Sequence, residues 1–108
     1  MILYNVTISI DEAVHDEWLK WMKEVHIPDV METGMFLENK ICRIHAHEEG
    51  GLSYSIQYLA RTQKDFDRYE KEFAPKLQQE HTQRYKNRFA AFRTILEVVH
   101  HEVHDSAK

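Results

Sequence analysis

The chain has 108 residues, of which 43% are hydrophobic and 30% are charged, and its formal net charge at pH 7 is -4. This length and balance predict one domain over residues 1–99, which needs neither a disulfide nor a metal to fold, and a polar tail over residues 100–108. The acidic balance argues against a nucleic-acid partner, because such proteins need a basic excess to neutralise phosphates. The single cysteine, the lack of a secretory leader and the lack of a long apolar run favour a cytoplasmic protein without membrane contact.

The hydrophobic pattern predicts four strands and two helices in a fixed order. The predicted elements are a strand over 2–10, a helix over about 12–25, a strand over 35–46, a hairpin turn at 48–51, a strand over 52–61, a broken helix between 62 and 87, and a strand over 88–99. Strict alternation marks the first strand, and apolar residues at spacings of three and four mark both helices.

Proline and glycine set several of these boundaries. Pro28 is predicted to end or kink the first helix, and Gly34 to close a short turn after it. Pro75 fits the first position of a second helical piece, where its missing N–H costs nothing. Asn87 is expected to stop that piece before the last strand begins.

The βαββαβ order is that of a ferredoxin-like α+β fold. Right-handed crossovers would place both helices on one face of a four-stranded antiparallel sheet with strand order 4-1-3-2. The residues expected on the other, bare face are Leu3, Asn5, Thr7, Ile41, Arg43, Gln57, Leu59, Arg93, Ile95 and Glu97. This mixture of polar and apolar side chains suggests partial burial against a second subunit.

Four segments resemble the DUF4286 family of small bacterial proteins of unknown function. They are the opening Met-Ile-Leu-Tyr-Asn-Val-Thr, the block His15–Pro28, the strand Tyr54–Tyr58 and the stretch Glu80–Arg93. The resemblance covers nearly the whole chain. It implies a dimeric α/β barrel, in which two ferredoxin-like subunits pair through their sheets, and hence a homodimer. Wider relatives of that kind include small monooxygenases, but the family offers no catalytic residue to carry over.

The candidate ligand-binding residues lie where two helices would pack side by side over the sheet. His26 and His81 could approach the mouth of a pocket there, and a neutral histidine can serve as a base or a ligand. Packing or solvation is the plainer interpretation of each histidine and aromatic residue. The full candidate set is Tyr4, Trp18, His26, Tyr58, His81 and Tyr85.

These residues lead to three functional hypotheses. The first is a homodimer that binds a small apolar or carboxylate-bearing molecule between helices and sheet. The second is a cofactor-free oxygenase or related enzyme with His26 or His81 as the base. The third is an interaction module whose activity is self-association. The third strand lacks the basic, glycine-containing motif of RNA-binding domains with the same element order.

No metal or cofactor is expected. His45-Ala-His47 and the tail segment His100–His104 are rich in histidine, but neither has the spacing of a known zinc motif. Cys42 lies mid-strand and is expected to pack as a small apolar residue rather than to act as a nucleophile.

Overall fold

The computed structural model describes residues 1–46 and 50–104. Its elements are β1 (Ile2–Asp11), a 3-10 turn (Glu12–Val14), α1 (His15–Trp21), a π-helical segment (Met22–His26), α2 (Ile27–Glu32), β2 (Glu38–Arg43), β3 (Gly51–Ala60), α3 (Gln63–Glu72), α4 (Ala74–Arg84) and β4 (Phe89–Glu97). The predicted βαββαβ order is therefore confirmed, with both helical layers in several pieces.

The four strands form one antiparallel sheet in the order β2-β3-β1-β4, which is the predicted 4-1-3-2. β1 lies inside the sheet, and Tyr4 pairs with Tyr58 of β3 and with Ile95 of β4. Burial alternates residue by residue along β1, because the helices cover one face of the sheet and not the other. The core fills the space between that face and the helices, and Ile10, Trp18 and Phe66 are fully buried there.

The first helical layer runs further than the sequence predicts. The expected end near residue 25 is wrong, because Pro28 occupies the first turn of α2, where no N–H is required. The layer ends after Glu32, and Gly34 adopts a φ of +76° just beyond it. Pro75 lies in the first turn of α4, as predicted.

The predicted bare face is wrong on both outer strands. Val6 pairs with Arg93 and Tyr4 with Ile95, so Arg93, Ile95 and Glu97 lie on the helix side of β4. By the same reasoning, Ile41 and Arg43 lie on the helix side of β2. The alternation has a period of two, so an offset of one residue moves a whole strand's side chains to the opposite face.

The bare face is centred on β1 and β3, where the prediction is confirmed for Leu3, Asn5, Thr7, Gln57 and Leu59. On the outer strands it carries instead Lys40, Cys42, Ala90, Phe92, Thr94 and Leu96. Polar side chains at its centre bond to one another, with Ser55 donating to Asn5 and Asn5 donating to Thr7. The side chains of Phe92 and Leu96 are 63% and 44% exposed.

Part of the predicted hairpin turn, residues 48 and 49, lies outside the described residues. Gly50, with a φ of +72°, and Gly51 lead into β3. In the part of the chain that the structure covers, no helix has the length and apolar character needed to cross a membrane.

Candidate functional site

A cavity of about 30 Å³ lies between the helices and the covered face of the sheet. About 10–15 Å³ is enough for one water molecule, so this cavity can hold a small polar group. Its lining residues come from β1, β3, β4 and both helical layers, namely Tyr4, Val6, Ile8, Met22, His26, Val30, Ile56, Tyr58, Tyr69, Gln78 and Arg93.

The π-helical segment supplies two of these residues, Met22 and His26. A π turn inserts one extra residue per turn, so it re-aims the side chains that follow it, and such turns occur frequently at functional sites. Met22 is fully buried. The Nδ1 atom of His26 is buried and has no hydrogen-bond partner. A buried polar atom without a partner costs free energy, and a ligand that pairs with it recovers that cost.

Three tyrosines form the floor of the cavity. Tyr4 and Tyr58 face each other across β1 and β3, with ring centroids 6.0 Å apart, and Tyr69 of α3 lies 5.9 Å from Tyr4. Burial raises the pKa of all three hydroxyls, and each neighbouring tyrosine adds to the effect on Tyr58. All three are therefore neutral at pH 7 and able to donate a proton in a hydrogen bond.

Arg93 is the only charged residue among the described lining residues. Its Nε donates to the Tyr4 hydroxyl at 3.0 Å, and Gln78 hydrogen-bonds the same hydroxyl. Arg93 is exposed, and His26 and Gln78 are half-buried, whereas the remaining lining residues are buried. These three polar side chains therefore form the mouth of the cavity.

His26 belongs to a pair of neutral histidines. His81 lies edge-on to it, with ring centroids 5.7 Å apart, and His81 Nε2 accepts a hydrogen bond of 2.9 Å from the Trp18 indole N–H. The pKa of each histidine is lowered to about 4, chiefly by burial, and His26 and Arg93 contribute to the lowering for His81. Because Trp18 occupies Nε2, His81 carries its proton on Nδ1.

The structure brings three of the six sequence-predicted site residues to the cavity: Tyr4, His26 and Tyr58. Trp18 and His81 lie behind His26 and bond to each other. Tyr85 packs against His81, with ring centroids 5.5 Å apart, but it does not line the cavity, and its hydroxyl lies 3.3 Å from a Glu17 carboxylate oxygen and from Arg84 Nε.

The sequence reasoning missed Tyr69, Gln78 and Arg93. Tyr69 falls on the apolar stripe of its helix and was predicted to be a packing residue. Arg93 was predicted on the bare face, and only the register of β4 reveals that it faces the helices. Gln78 gives no sequence signal, because a glutamine in a helix is most often solvated.

Among the described residues, no three histidine, cysteine, aspartate or glutamate side chains converge as metal ligands would. His45 lies after β2, while its partner in the sequence pattern, His47, lies outside the described residues. In the tail, His100 Nε2 lies 2.7 Å from a Glu102 carboxylate oxygen.

Residues 1–99 match the family model described as "Domain of unknown function (DUF4286)". No curated protein matches the chain. Among solved structures, HapK from Hahella chejuensis is similar, with a TM-score of 0.72 and 12% identity over 96% of this chain and 98% of that one.

Two further solved structures are similar over most of their length. A dimeric ferredoxin-like protein from an uncultured marine organism has a TM-score of 0.68 and 17% identity, over 96% of this chain and 100% of its own. SnoaB, a cofactor-independent oxygenase from Streptomyces nogalater, has a TM-score of 0.62 and 7% identity, over 93% of this chain and 95% of its own. At such identities the likeness shows the fold alone, and that fold is ferredoxin-like.

Proposed function

Since the chain belongs to the DUF4286 family, whose function is unknown, we propose from the site that it binds a small molecule through a carboxylate or another acidic oxygen in the cavity. One observation carries this proposal. The cavity is lined by one arginine and three tyrosines, and none of the described lining residues is acidic.

The chemistry of these groups selects an anion. Arg93 carries a permanent positive charge and the tyrosines present neutral O–H donors, whereas a carboxylate offers only acceptors. Hydrogen bonds to an ionised acceptor are roughly twice as strong as those between neutral groups. A purely apolar ligand would leave the donors unpaired, at a cost of about 1–3 kcal/mol for each buried group.

The volume of the cavity limits which part of the ligand enters it. A space of about 30 Å³ accommodates a head group and not a whole metabolite. The body of the ligand would therefore lie beyond the mouth formed by His26, Gln78 and Arg93.

A thermal unfolding experiment with benzoate and benzamide tests the proposal, because the two probes share a shape and differ in charge. Benzoate is expected to raise the melting temperature in a concentration-dependent way, since a ligand of the folded state stabilises it by mass action, and benzamide to do so far less. Arg93→Gln should remove the benzoate effect. Arg43→Gln, which neutralises an arginine on the opposite outer strand, is the matched control and should retain it.

A second pair of variants tests the floor of the cavity. Tyr69→Phe removes the hydroxyl of a lining residue and should weaken benzoate binding, whereas Tyr85→Phe removes the hydroxyl of a residue that does not line the cavity and should not. The proposal would be contradicted if benzoate stabilised the wild type and Arg93→Gln equally, or if it stabilised neither at millimolar concentration. Either result would favour an interaction module.

We further propose that the working unit is a homodimer paired through the bare face. Apolar side chains surround the polar centre of this face, whose members hydrogen-bond to one another. The apolar side chains are the exposed Phe92 and Leu96 and the half-buried Leu3 and Leu59. The neighbour from the marine organism is described as dimeric. Light scattering should give twice the monomer mass for the wild type and the monomer mass for Phe92→Lys with Leu96→Lys. A wild-type monomer at micromolar concentration would end this part of the proposal.

Catalysis by a cofactor-free oxygenase is the second candidate function, and the unpartnered Nδ1 of His26 favours it. His26 lines the cavity, and a general base must lie near the proton that it takes. SnoaB is described as a cofactor-independent oxygenase. His81 is the less available base, because the Trp18 indole occupies its Nε2. Oxygen uptake with a panel of polyphenols should then be lost in His26→Gln and kept in His100→Gln, and no uptake by the wild type would remove this candidate.

A further inference from the structure

A hydrogen-bonded chain of three side chains lies apart from the cavity and has no part in the proposed function. The hydroxyl of Tyr54 lies 2.6 Å from His15 Nε2, and His15 Nδ1 lies 2.9 Å from a carboxylate oxygen of Asp16. Tyr54 comes from the middle of β3, and the other two residues open α1.

The partners fix where the protons lie. An ionised carboxylate can only accept, so His15 Nδ1 must carry a proton and donate it to Asp16. With Nδ1 protonated, the Nε2 atom of a neutral ring carries the lone pair and accepts a hydrogen bond from the Tyr54 hydroxyl. This is the arrangement in which a carboxylate holds an imidazole ready to receive a proton.

The surroundings keep the phenol away from water but close to another oxidisable ring. Tyr54 is 6% exposed, whereas Asp16 is fully exposed. Trp18 is fully buried, and its ring centroid lies 5.2 Å from that of Tyr54. Solvent and bulky reagents are therefore excluded, while electron transfer through the adjacent indole needs no access.

We propose that Tyr54 is a redox-active tyrosine. One electron leaves its ring for an external one-electron oxidant, a free radical or an oxidised metal complex, which is thereby reduced. The O–H bond breaks and its proton moves along the existing hydrogen bond to His15 Nε2. The products are a neutral tyrosyl radical and a His15 imidazolium whose charge Asp16 balances, and return of one electron and the same proton restores the phenol.

The other four tyrosines lack this proton acceptor. The hydroxyl of Tyr4 accepts from Arg93, and that of Tyr85 contacts Glu17 and Arg84. No described imidazole nitrogen bonds to the hydroxyl of Tyr58 or Tyr69. An oxidised phenol is a strong acid, and a short hydrogen bond to an imidazole distinguishes Tyr54 from them, because the Tyr85 hydroxyl donates instead to a Glu17 carboxylate oxygen at the longer distance of 3.3 Å.

Flash photolysis with photogenerated tris(bipyridine)ruthenium(III) as the oxidant tests the proposal on the full chain. Electron paramagnetic resonance should then detect a tyrosyl radical, whose line shape changes when ring-deuterated tyrosine is incorporated. Tyr54→Phe should abolish most of the signal. Tyr85→Phe removes a buried tyrosine without a histidine acceptor and should preserve it.

Variants of the proton acceptor separate a redox role from a packing role. His15→Gln should shorten the radical lifetime severalfold, and Asp16→Asn, at an exposed position where folding is not at risk, should shorten it to a smaller extent. Unfolding curves establish that each variant is folded. A signal that survives Tyr54→Phe, or lifetimes that are equal in the wild type and both acceptor variants, would overturn the proposal.

Discussion

The neutral pair formed by His26, which lines the cavity, and the adjacent His81 should make the protein sensitive to acid. Burial holds the pKa of His26 and of His81 at about 4 in the folded chain, against 6.5 for an unperturbed histidine. Asp29 faces His26 and raises its pKa, whereas Arg93 faces both histidines and lowers the pKa of each. Burial is the largest effect on both. Because the folded-state pKa is the lower one, the unfolded chain binds protons first as the pH falls. Stability is therefore full above pH 6.5 and decreases as the pH falls toward 4.

The size of the effect follows from the two pKa values. Each pKa unit corresponds to about 1.4 kcal/mol, so complete protonation costs about 3 kcal/mol for each histidine. Between pH 7 and pH 5 the linkage relation gives a loss of about 2 kcal/mol for each, or about 4 kcal/mol for the pair. The hydrogen bond from the Ala13 N–H lowers the pKa of Asp11. Protonation of Asp11 would therefore also reduce stability, but only at a still lower pH.

Urea unfolding followed by far-ultraviolet circular dichroism at pH 7, 6 and 5 measures this loss. His81→Gln keeps an acceptor for the Trp18 indole but cannot bind the proton, so we expect about half of the wild-type pH dependence. His100→Gln alters an exposed tail residue and is expected to keep all of it. A free energy of unfolding that stays flat from pH 7 to pH 5, or an unchanged pH dependence in His81→Gln, would refute the reasoning.

Three further changes should alter stability at pH 7, each measurable by the same urea unfolding. Trp18→Phe leaves His81 Nε2 without its donor and should cost about 1–3 kcal/mol, while a loss well under 0.5 would show that the bond is dispensable. In Gly34→Ala the added methyl group meets no atom within 4 Å, but the alanine must adopt a φ of +76°, so we expect a loss of about 1 kcal/mol. An unchanged stability would show that the backbone relaxes at this position. Thr62→Ala removes the acceptor for the Asp65 N–H at the start of α3 and should cost about 1 kcal/mol, whereas Gln63→Ala beside it should cost less.

Local signals in the sequence were sufficient for the fold. The alternation in residues 2–10 identified the buried strand and its helix-facing side, and Pro75 marked the start of the second piece of the second helical layer. These signals act over a few residues, so they can be read without knowing what packs against them. Pro28 misled the prediction because the same residue can end one helix or open another.

The site depended on information that the sequence does not contain. Arg93 reaches the cavity only because β4 pairs with β1 in one register and not in the next, and the spacing within β4 does not determine that register. The direction of the His26 side chain depends on a π turn, which no residue pattern in the sequence predicts. Tyr4, His26 and Tyr58 could be proposed because apolar spacing placed them between helix and sheet, but the same criterion also selected Tyr85, which does not line the cavity.

Nitrogen-15 nuclear magnetic resonance of the Arg93 Nε–H and the His26 ring during a benzoate titration tests the proposed anion site most directly. Binding in the cavity should shift both signals along one saturating curve, and the His26 shift should vanish in Arg93→Gln and persist in Arg43→Gln. Signals that do not move, or that move equally with benzamide, would show that this cavity does not recognise an acidic oxygen.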